Sequence, residues 1–216
     1  MTDGERRPPD MVWYAGYGSN LSAERFLCYI AGGTPRGAAR PCRGARDTTP
    51  PREDRPLDVP YRLYFAGHSK MWDGAPAFID TVDRTDLPAR ARAYLITWEQ
   101  FEDVVAQENR RPTAPLDLAP EELALGSSHL IGAGLYPNVR CVGHLEGHPA
   151  LTFTSALTMA DTQAEFARPA DVYLETMIDG LRAAHAMSDD AIVAYLGSAP
   201  GCSEKVVAAV VAGTGR

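Results

Sequence analysis

The chain of 216 residues is 45% hydrophobic and 23% charged, which suits a single globular domain with a sizeable core. Its formal net charge of -7 argues against a general nucleic-acid or anionic-membrane surface, because either surface needs a basic face to neutralise phosphates. The cysteines stand far apart with no CxxC pair, so the sequence predicts free thiols and neither a zinc ribbon nor a dense disulfide framework.

The N-terminal stretch "MTDGERRPPD" lacks the apolar core of a secretory signal, and no apolar run reaches the length of about 18 residues that a membrane-spanning helix needs. We therefore expect a cytoplasmic protein without nucleic-acid or membrane partners. Its oligomeric state is left open, with a homodimer as one option. We divide the chain into a flexible arm at residues 1–11 and a single domain at residues 12–216, with loop insertions near 34–60 and 111–132.

The first half of the domain alternates predicted strands and helices. A strand is predicted at "MVWYAGY", followed by a glycine-rich corner and a short helix at "NLSAERFLCYIAGG". The segment that follows, up to Pro60, is interpreted as a solvated, arginine-rich loop. Three more strands are predicted at "YRLYFAGHS", "GAPAFIDTVD" and "ARAYLITW". The last of these leads into a helix at "TWEQFEDVVAQENR", with Thr97 as its candidate N-cap.

The second half is predicted to contain a hairpin and a helical tail. Residues 111–132, with a candidate helix at "APEELAL", are interpreted as an insertion or a lid. A hairpin is predicted at "LYPNVRCVGHLEGHPALTFTSAL" with its turn at "LEGHP". Helices follow at "ADVYLETMIDGLRAAHA", at "SDDAIVAYLGS" with Ser188 as N-cap, and at "SEKVVAAVVAG". This order predicts an α+β fold around a mostly antiparallel or mixed sheet, with a small barrel as one form of it.

The corner "GYGSN" after the first strand has two interpretations. It is an ordinary turn, since glycine, asparagine and serine are common turn residues. Alternatively, the glycines remove side-chain bulk so that backbone N–H groups can approach an anion or a carbonyl oxygen, with the following helix dipole assisting.

Glu108 is the most informative residue of the predicted helix after Thr97. The apolar residues Trp98, Phe101, Val104 and Val105 fall on one helix face, and continuing this stripe by three or four residues reaches Glu108. The other acids, at positions 99, 102 and 103, are expected to face solvent. A carboxylate that leaves water tends to have a raised pKa, which suits acid–base chemistry near neutral pH. Alternatively, Glu108 turns to solvent or pairs with a neighbouring arginine.

Other catalytic patterns receive little support. The two histidines of "HLEGH" lack the continuous helix of a zinc-protease motif, because glycine and proline interrupt it, so a hairpin tip is favoured over a metal site. Ser19 lies outside a G-x-S-x-G elbow, and the corner lacks the lysine of a P-loop.

The chain resembles the gamma-glutamylcyclotransferase family over most of residues 12–198, in five segments of matching order and approximate spacing: "YAGYGSNLS", "HSKMWDGAPAFI", "ARAYLITWEQFEDVVAQEN", "GLYPNV" and "RPADVYLETMIDGL". The resemblance implies a compact mixed barrel or sheet with flanking helices. It also implies an enzyme that needs no cofactor or metal and releases 5-oxoproline from a small-molecule gamma-glutamyl amide, the substrate's own α-amine attacking its side-chain carbonyl.

The resemblance also implies roles for individual residues. It places the family's acid–base glutamate at Glu108. It assigns substrate binding to the corner and to two later positions, namely Tyr17, Gly18, Ser19, Asn20, Leu21, Gly74 and Tyr136. Gly74 lies in a turn where a larger side chain would close the pocket. Tyr136 has the alternative interpretation of an ordinary strand aromatic.

Three departures from the family pattern affect the expected pocket shape and substrate. The family's Q-E-G motif ends here in Asn109, the link between Glu108 and Tyr136 is long, and a second expected tyrosine is Ala156. The substrate is left open among gamma-glutamyl amino acids, gamma-glutamylamines and gamma-glutamyl-protected metabolites. An amide hydrolase on the same scaffold and a ligand-binding or interaction module without turnover are the alternatives.

Overall fold

The computed structural model describes residues 11–83, 86–118 and 123–214, so the predicted arm at residues 1–10 and most of "APEELAL" lie outside the described residues. The strands are β1 Met11–Gly16, β2 Glu53–Val59, β3 Tyr61–Phe65, β4 Ala77–Asp83, β5 Ala89–Thr97, β6 Ser128–Leu130, β7 Asn138–Leu145 and β8 His148–Thr154. The α-helices are α1 Ala23–Ala31, α2 Trp98–Glu108, α3 Asp171–His185, α4 Asp189–Gly197 and α5 Glu204–Thr214.

Six strands form a mixed sheet in the order β2-β5-β1-β8-β7-β6, and β3 pairs with β4 in a separate hairpin. Strand β1 is antiparallel to β5 and parallel to β8, whereas the remaining pairs are antiparallel. The predicted α+β class with a mixed sheet and flanking helices is thereby confirmed. The barrel form of the prediction is corrected, since the described strands form an open sheet whose edges are β2 and β6.

Strand β1 runs through the middle of the sheet and is buried on both faces. Its alternate residues Trp13 and Ala15 pack in a core with α3, α4 and α5, while Val12 and Tyr14 pack in a second core with α1 and α2. This alternation follows from the two-residue period of a strand. The end of β1 therefore emerges between the helical layers, where the glycine-rich corner begins.

The segment interpreted as a loop before Pro60 contains the edge strand β2, which the sequence analysis missed. Its sequence "EDRPLDV" is charged and carries Pro56, which is compatible with an edge strand but conceals the strand pattern. The inserted segment 111–132 likewise contributes β6 to the opposite edge of the sheet.

Helix α2 begins as predicted. The side chain of Thr97 accepts a hydrogen bond from the backbone N–H of Gln100, and the side-chain oxygen of Gln100 accepts one from the backbone N–H of Thr97. The expectation that the acids at positions 102 and 103 face solvent is wrong, because Glu102 and Asp103 are 6% and 1% exposed. They are buried because Arg46, from the loop before β2, lies across this face of the helix and pairs with both carboxylates.

The predicted hairpin is confirmed as β7 and β8, with its turn at Glu146 and Gly147, both of which have positive φ. His144 and His148 lie on opposite strands of this hairpin. Ser188 caps α4 as predicted, accepting a hydrogen bond from the N–H of Ala191. All four cysteines carry free thiols. Over residues 11–83, 86–118 and 123–214, every helix is too short or too polar to cross a bilayer.

Candidate active site

The corner after β1 is built from close backbone approaches. A Cβ on Gly16 would lie 2.8 Å from Cβ of Asn20, and a Cβ on Gly18 would lie 2.7 Å from the hydroxyl of Tyr173. The chain then forms one short 3-10 helix, Ser19–Leu21, before α1. Glycine is needed at both positions because side chains from this turn and from α3 occupy the space that any larger residue would take.

Asn20 joins this corner to the end of α2. Its Nδ2 donates to Oε1 of Glu108 at 2.9 Å, across 88 positions of sequence, and to the hydroxyl of Tyr14 at 2.8 Å. The backbone carbonyl of Asn20 accepts a hydrogen bond of 2.8 Å from the hydroxyl of Tyr94. The asparagine is therefore fixed on both its backbone and its side chain. The corner and the carboxylate, which the sequence singled out separately, meet in one place.

A cavity of about 70 Å³ lies where they meet. Of the predicted site residues, six line it: Tyr17, Gly18, Ser19, Asn20, Glu108 and Tyr136. The other two lie elsewhere. Leu21 is fully buried, and its backbone carbonyl carbon would be 2.5 Å from a Cβ on Gly180 of α3. A Cβ on Gly74 would lie 2.4 Å from the backbone nitrogen of Ala170, so extra bulk there would displace the start of α3 before it filled the cavity.

Arg25 and Tyr29 of α1 also line the cavity, and the sequence analysis did not identify them. The Nη2 atom of Arg25 donates to the hydroxyl of Tyr29 at 2.7 Å, and the guanidinium lies 4.1 Å from the centre of the Tyr29 ring. Arg25 is 3% exposed, and its Nε has no hydrogen-bond partner among the described residues. A buried cation with an unused donor is thus placed beside the cavity.

Burial raises the pKa of the Glu108 carboxyl above its usual range. The positive charge of Arg25 and hydrogen bonds from Asn20 and Tyr29 oppose this effect by favouring the ionised form. Glu108 is half-buried, at the boundary between the cavity and the outside. It combines a raised pKa with access to a ligand, which are two properties of a general acid–base.

Tyrosines form much of the remaining wall. The hydroxyl of Tyr17 donates to the carbonyl of Phe153 at 2.8 Å, and that of Tyr136 to the carbonyl of Ala77 at 3.2 Å. Tyr173, which the sequence analysis did not identify as a site residue, accepts a hydrogen bond from the N–H of Ala77. Burial raises the pKa of Tyr173 to about 12, and it raises the pKa values of the other two hydroxyls well above their usual range. These phenols stay neutral at physiological pH.

Asn109, where the family motif has glycine, holds Tyr136 in place. Its Oδ1 accepts a hydrogen bond of 2.8 Å from the N–H of Tyr136, and its Nδ2 donates to the carbonyl of the same residue at 3.1 Å. A Cβ on Gly134 would lie 2.0 Å from the Asn109 Oδ1, so this glycine is required for the approach. The asparagine anchors the point at which the long segment after α2 returns to the cavity.

Comparisons with known proteins bear on the fold. No family model matches the sequence. Histone deacetylase 5 of Arabidopsis thaliana is 34% identical over 201 residues, a match that covers 87% of this chain and 30% of that protein. The chain therefore spans less than a third of the length of this relative.

Two solved structures are similar along almost their whole length. A gamma-glutamyl cyclotransferase has a TM-score of 0.53 and 14% identity, covering 94% of this chain and 99% of that chain. A human protein described as uncharacterized has a TM-score of 0.52 and 15% identity, with the same two coverages. This chain accordingly has the fold of a gamma-glutamyl cyclotransferase.

Proposed function

We propose that the chain is a cofactor-independent cyclotransferase that releases 5-oxoproline from a gamma-glutamyl amide. The observation that carries the proposal is the hydrogen bond between Asn20 and Glu108 inside a small cavity. It joins the two elements that resemble the family motifs. The raised pKa of Glu108 adds a chemical reason, because the reaction needs one group that accepts a proton and later returns it.

The reaction requires neither water nor a protein nucleophile. Glu108 takes a proton from the substrate's α-ammonium group, and the resulting amine attacks the side-chain carbonyl carbon. The new C–N bond closes the five-membered ring, the proton held by Glu108 passes to the leaving nitrogen, and the bond to that nitrogen breaks. The ring nitrogen then gives up its second proton through the same carboxylate, so that the products are neutral at the lactam nitrogen and the leaving amine departs as an ammonium group. The protein therefore has to fold the substrate, move these two protons and stabilise the developing oxyanion.

The cavity offers groups for each of these tasks. Arg25 is a buried cation beside the cavity, and we assign to it the attraction of the substrate's α-carboxylate. The residues Gly18, Ser19 and Asn20 are assigned to the substrate's carboxylate and oxyanion, since they line the same space as Glu108. Tyr17, Tyr136 and Tyr173 are assigned to the shape of the wall. This assignment adds Arg25 to the residues that the resemblance implies.

Histone deacetylase 5 of Arabidopsis thaliana is named for a deacetylase activity, and this chain matches 30% of that protein. We propose no deacetylase activity for this chain. Hydrolysis of an amide on the same scaffold would place a water molecule where the cyclotransferase places the substrate's α-amine. The two reactions give different products, so a product assay separates them.

The test is product analysis with gamma-glutamyl amino acids, gamma-glutamylamines and glutathione. The expected result is 5-oxoproline in amounts equal to the released amine. The matched control is each substrate with its α-amine acetylated, which removes the nucleophile and should abolish release. Free glutamate as the product, or release that persists after acetylation, would favour the hydrolase. Unchanged ligand recovered from a stable complex would favour a binding module.

A further inference from the structure

Basic side chains line two cavities that share residues with the candidate active site. Beside the small cavity lie two larger cavities of about 580 Å³ and 360 Å³. The first shares Tyr29, Gln107 and Arg110 with the small cavity, and the second shares Glu108 with it. The larger cavities are lined by five cationic residues, which we call the basic rim: Arg40, Arg43, Lys70, Arg110 and Arg111.

The rim cations differ from most other arginines of the protein in their partners. Among the described residues, none of the five forms an ion pair with a carboxylate; Arg43 and Arg111 bond only neutral oxygens. In contrast, arginines elsewhere on the surface pair with acids, as seen for Arg36, Arg46, Arg55, Arg90, Arg92, Arg168 and Arg182. No carboxylate of the described residues therefore pairs with the rim cations, in a chain whose formal net charge is -7.

Carboxylates are nearly absent from the same walls. Among the described residues that line the three cavities, Glu108 is the only acid. A cleft with walls of one sign concentrates ligands of the opposite sign. The larger volumes also lie within or near the range that small-molecule sites occupy. The rim therefore suits a small anion that extends outward from Glu108.

We propose that the basic rim is the subsite for the leaving group and that it selects gamma-glutamyl amides whose leaving amine carries extra negative charge. This inference rests on the proposed function, because the reaction divides the substrate between two places. The gamma-glutamyl part occupies the small cavity next to Glu108, and the amine part projects into the larger cavities that Lys70 and Arg110 line. A leaving amine with additional carboxylate groups meets cations there that no described carboxylate pairs.

The test uses a pair of nearly isosteric substrates, gamma-glutamyl-glutamate and gamma-glutamyl-glutamine, which differ by one negative charge. We expect the kcat/KM of the wild type to be about tenfold higher for the acidic substrate at low ionic strength. The preference should decline as ionic strength rises from about 0.05 M to about 0.5 M, because salt shortens the Debye length. Equal kcat/KM values at low salt would overturn the inference.

The double variant Lys70→Gln and Arg110→Gln removes two exposed rim charges, and it should reduce the preference to about twofold or less. Arg52→Gln is the control for the loss of one exposed positive charge away from the rim, because Arg52 is exposed, forms no ion pair among the described residues and lines none of the three cavities. It removes the same type of charge elsewhere and should leave the preference unchanged. An equal decline of the preference for the acidic substrate in both variants would show that the rim is not the source of the selectivity.

Binding of the same two compounds to the Glu108→Gln variant, measured by calorimetry, separates this inference from the proposed function. Tighter binding of the acidic compound without any 5-oxoproline release by the wild type would support the rim and contradict the cyclotransferase. Release from both substrates without a preference would contradict the rim alone. Neither release nor binding would overturn both proposals.

Discussion

The middle of α2 carries two buried carboxylates and its end carries the half-buried carboxylate of Glu108, and the surroundings of these two regions differ. In the middle, Oε1 of Glu102 accepts a hydrogen bond of 2.9 Å from the N–H of Leu116, and Oε2 accepts one of 3.1 Å from Arg46. Asp103 accepts from the backbone N–H and from Nε of Arg46, at 2.8 and 3.0 Å. At the end of the helix, the carboxylate of Glu108 faces a cavity instead of a protein cation in direct contact.

This difference separates a structural carboxylate from a reactive one. A buried charge is tolerated where ion pairs and hydrogen bonds replace its contacts with water, as at Glu102 and Asp103. The pKa of Glu108 is raised because burial outweighs the opposing effects of its neighbours, so its carboxyl group keeps a proton to higher pH than an exposed glutamate does. Substitutions in the middle of α2 are therefore expected to change stability, and substitutions at its end to change activity.

The largest effect is expected for Glu108→Gln, which retains the shape of the side chain but cannot transfer a proton. Its kcat/KM for 5-oxoproline release should fall by about 10²- to 10⁴-fold, the range that general acid–base groups contribute. Steady-state assays on the best substrate measure this. Glu99→Gln, which changes an exposed acid of the same helix, is the control and should stay within about twofold of the wild type. Full activity of the Glu108→Gln variant would show that Glu108 does not transfer the proton.

The next largest effect is expected for Arg46→Met, which leaves the buried carboxylates of Glu102 and Asp103 without their cation. The free energy of unfolding should fall by about 2 kcal/mol, which is less than for a fully buried pair because the Arg46 side chain is 43% exposed. Chemical denaturation measures this loss. Activity under folding conditions should stay within about twofold of the wild type. A large loss of activity with unchanged stability would contradict the structural role assigned to the carboxylates in the middle of α2.

A smaller effect on activity is expected for Asn20→Ala. This change removes a hydrogen bond that favours the ionised form of Glu108, so the pKa of Glu108 should rise further and kcat/KM should fall about tenfold near neutral pH. The pH profile of kcat/KM measures both changes. Tyr14→Phe removes the other partner of the Asn20 amide but leaves its bond to Glu108 available, so it should have the smaller effect. A larger loss of kcat/KM in Tyr14→Phe than in Asn20→Ala would indicate that Asn20 acts only through packing.

The smallest effect is a gain in stability for Glu108→Gln. Since burial raises the pKa of Glu108 in the folded state, its ionisation destabilises the protein as the pH rises from the usual glutamate range through the raised value. Glutamine does not titrate, so the Tm of the variant relative to the wild type should increase across this window and stay constant below it. Thermal unfolding at several pH values measures the difference. A relative Tm that decreases with rising pH would contradict the raised pKa.

Local patterns predicted most elements of this fold. Strand β1, helix α2 with its Thr97 cap, and the β7–β8 hairpin follow from periodicity and turn residues, which are properties of neighbouring positions. Strand β2 was missed because its charged residues and Pro56 suit a sheet edge, and only the pairing with β5 reveals it. The burial of Glu102 and Asp103 depends on Arg46, which lies more than 50 positions earlier in the sequence. Helix periodicity relates only neighbouring positions, so it could not predict this contact.

Helix periodicity indicated Glu108 and could also have indicated Arg25. The buried face of α1 includes Phe26 and Ile30, and Arg25 and Tyr29 lie on that same face. The 3.6-residue period that places Glu108 on the apolar stripe of α2 also places Arg25 on the apolar face of α1. The basic rim was beyond such reasoning, because its members come from three separate segments that only the folded chain brings together.

The central claim, that Glu108 is the group that transfers the proton, is tested most directly by its own titration. We would follow the carboxyl carbons by ¹³C NMR in protein labelled at glutamate, assigning Glu108 by the signal lost in Glu108→Gln. We expect a midpoint above the usual glutamate value of about 4.3, coinciding with the acidic limb of the kcat/KM profile. A midpoint in the usual range, or a rate profile that does not follow the titration, would contradict proton transfer by Glu108.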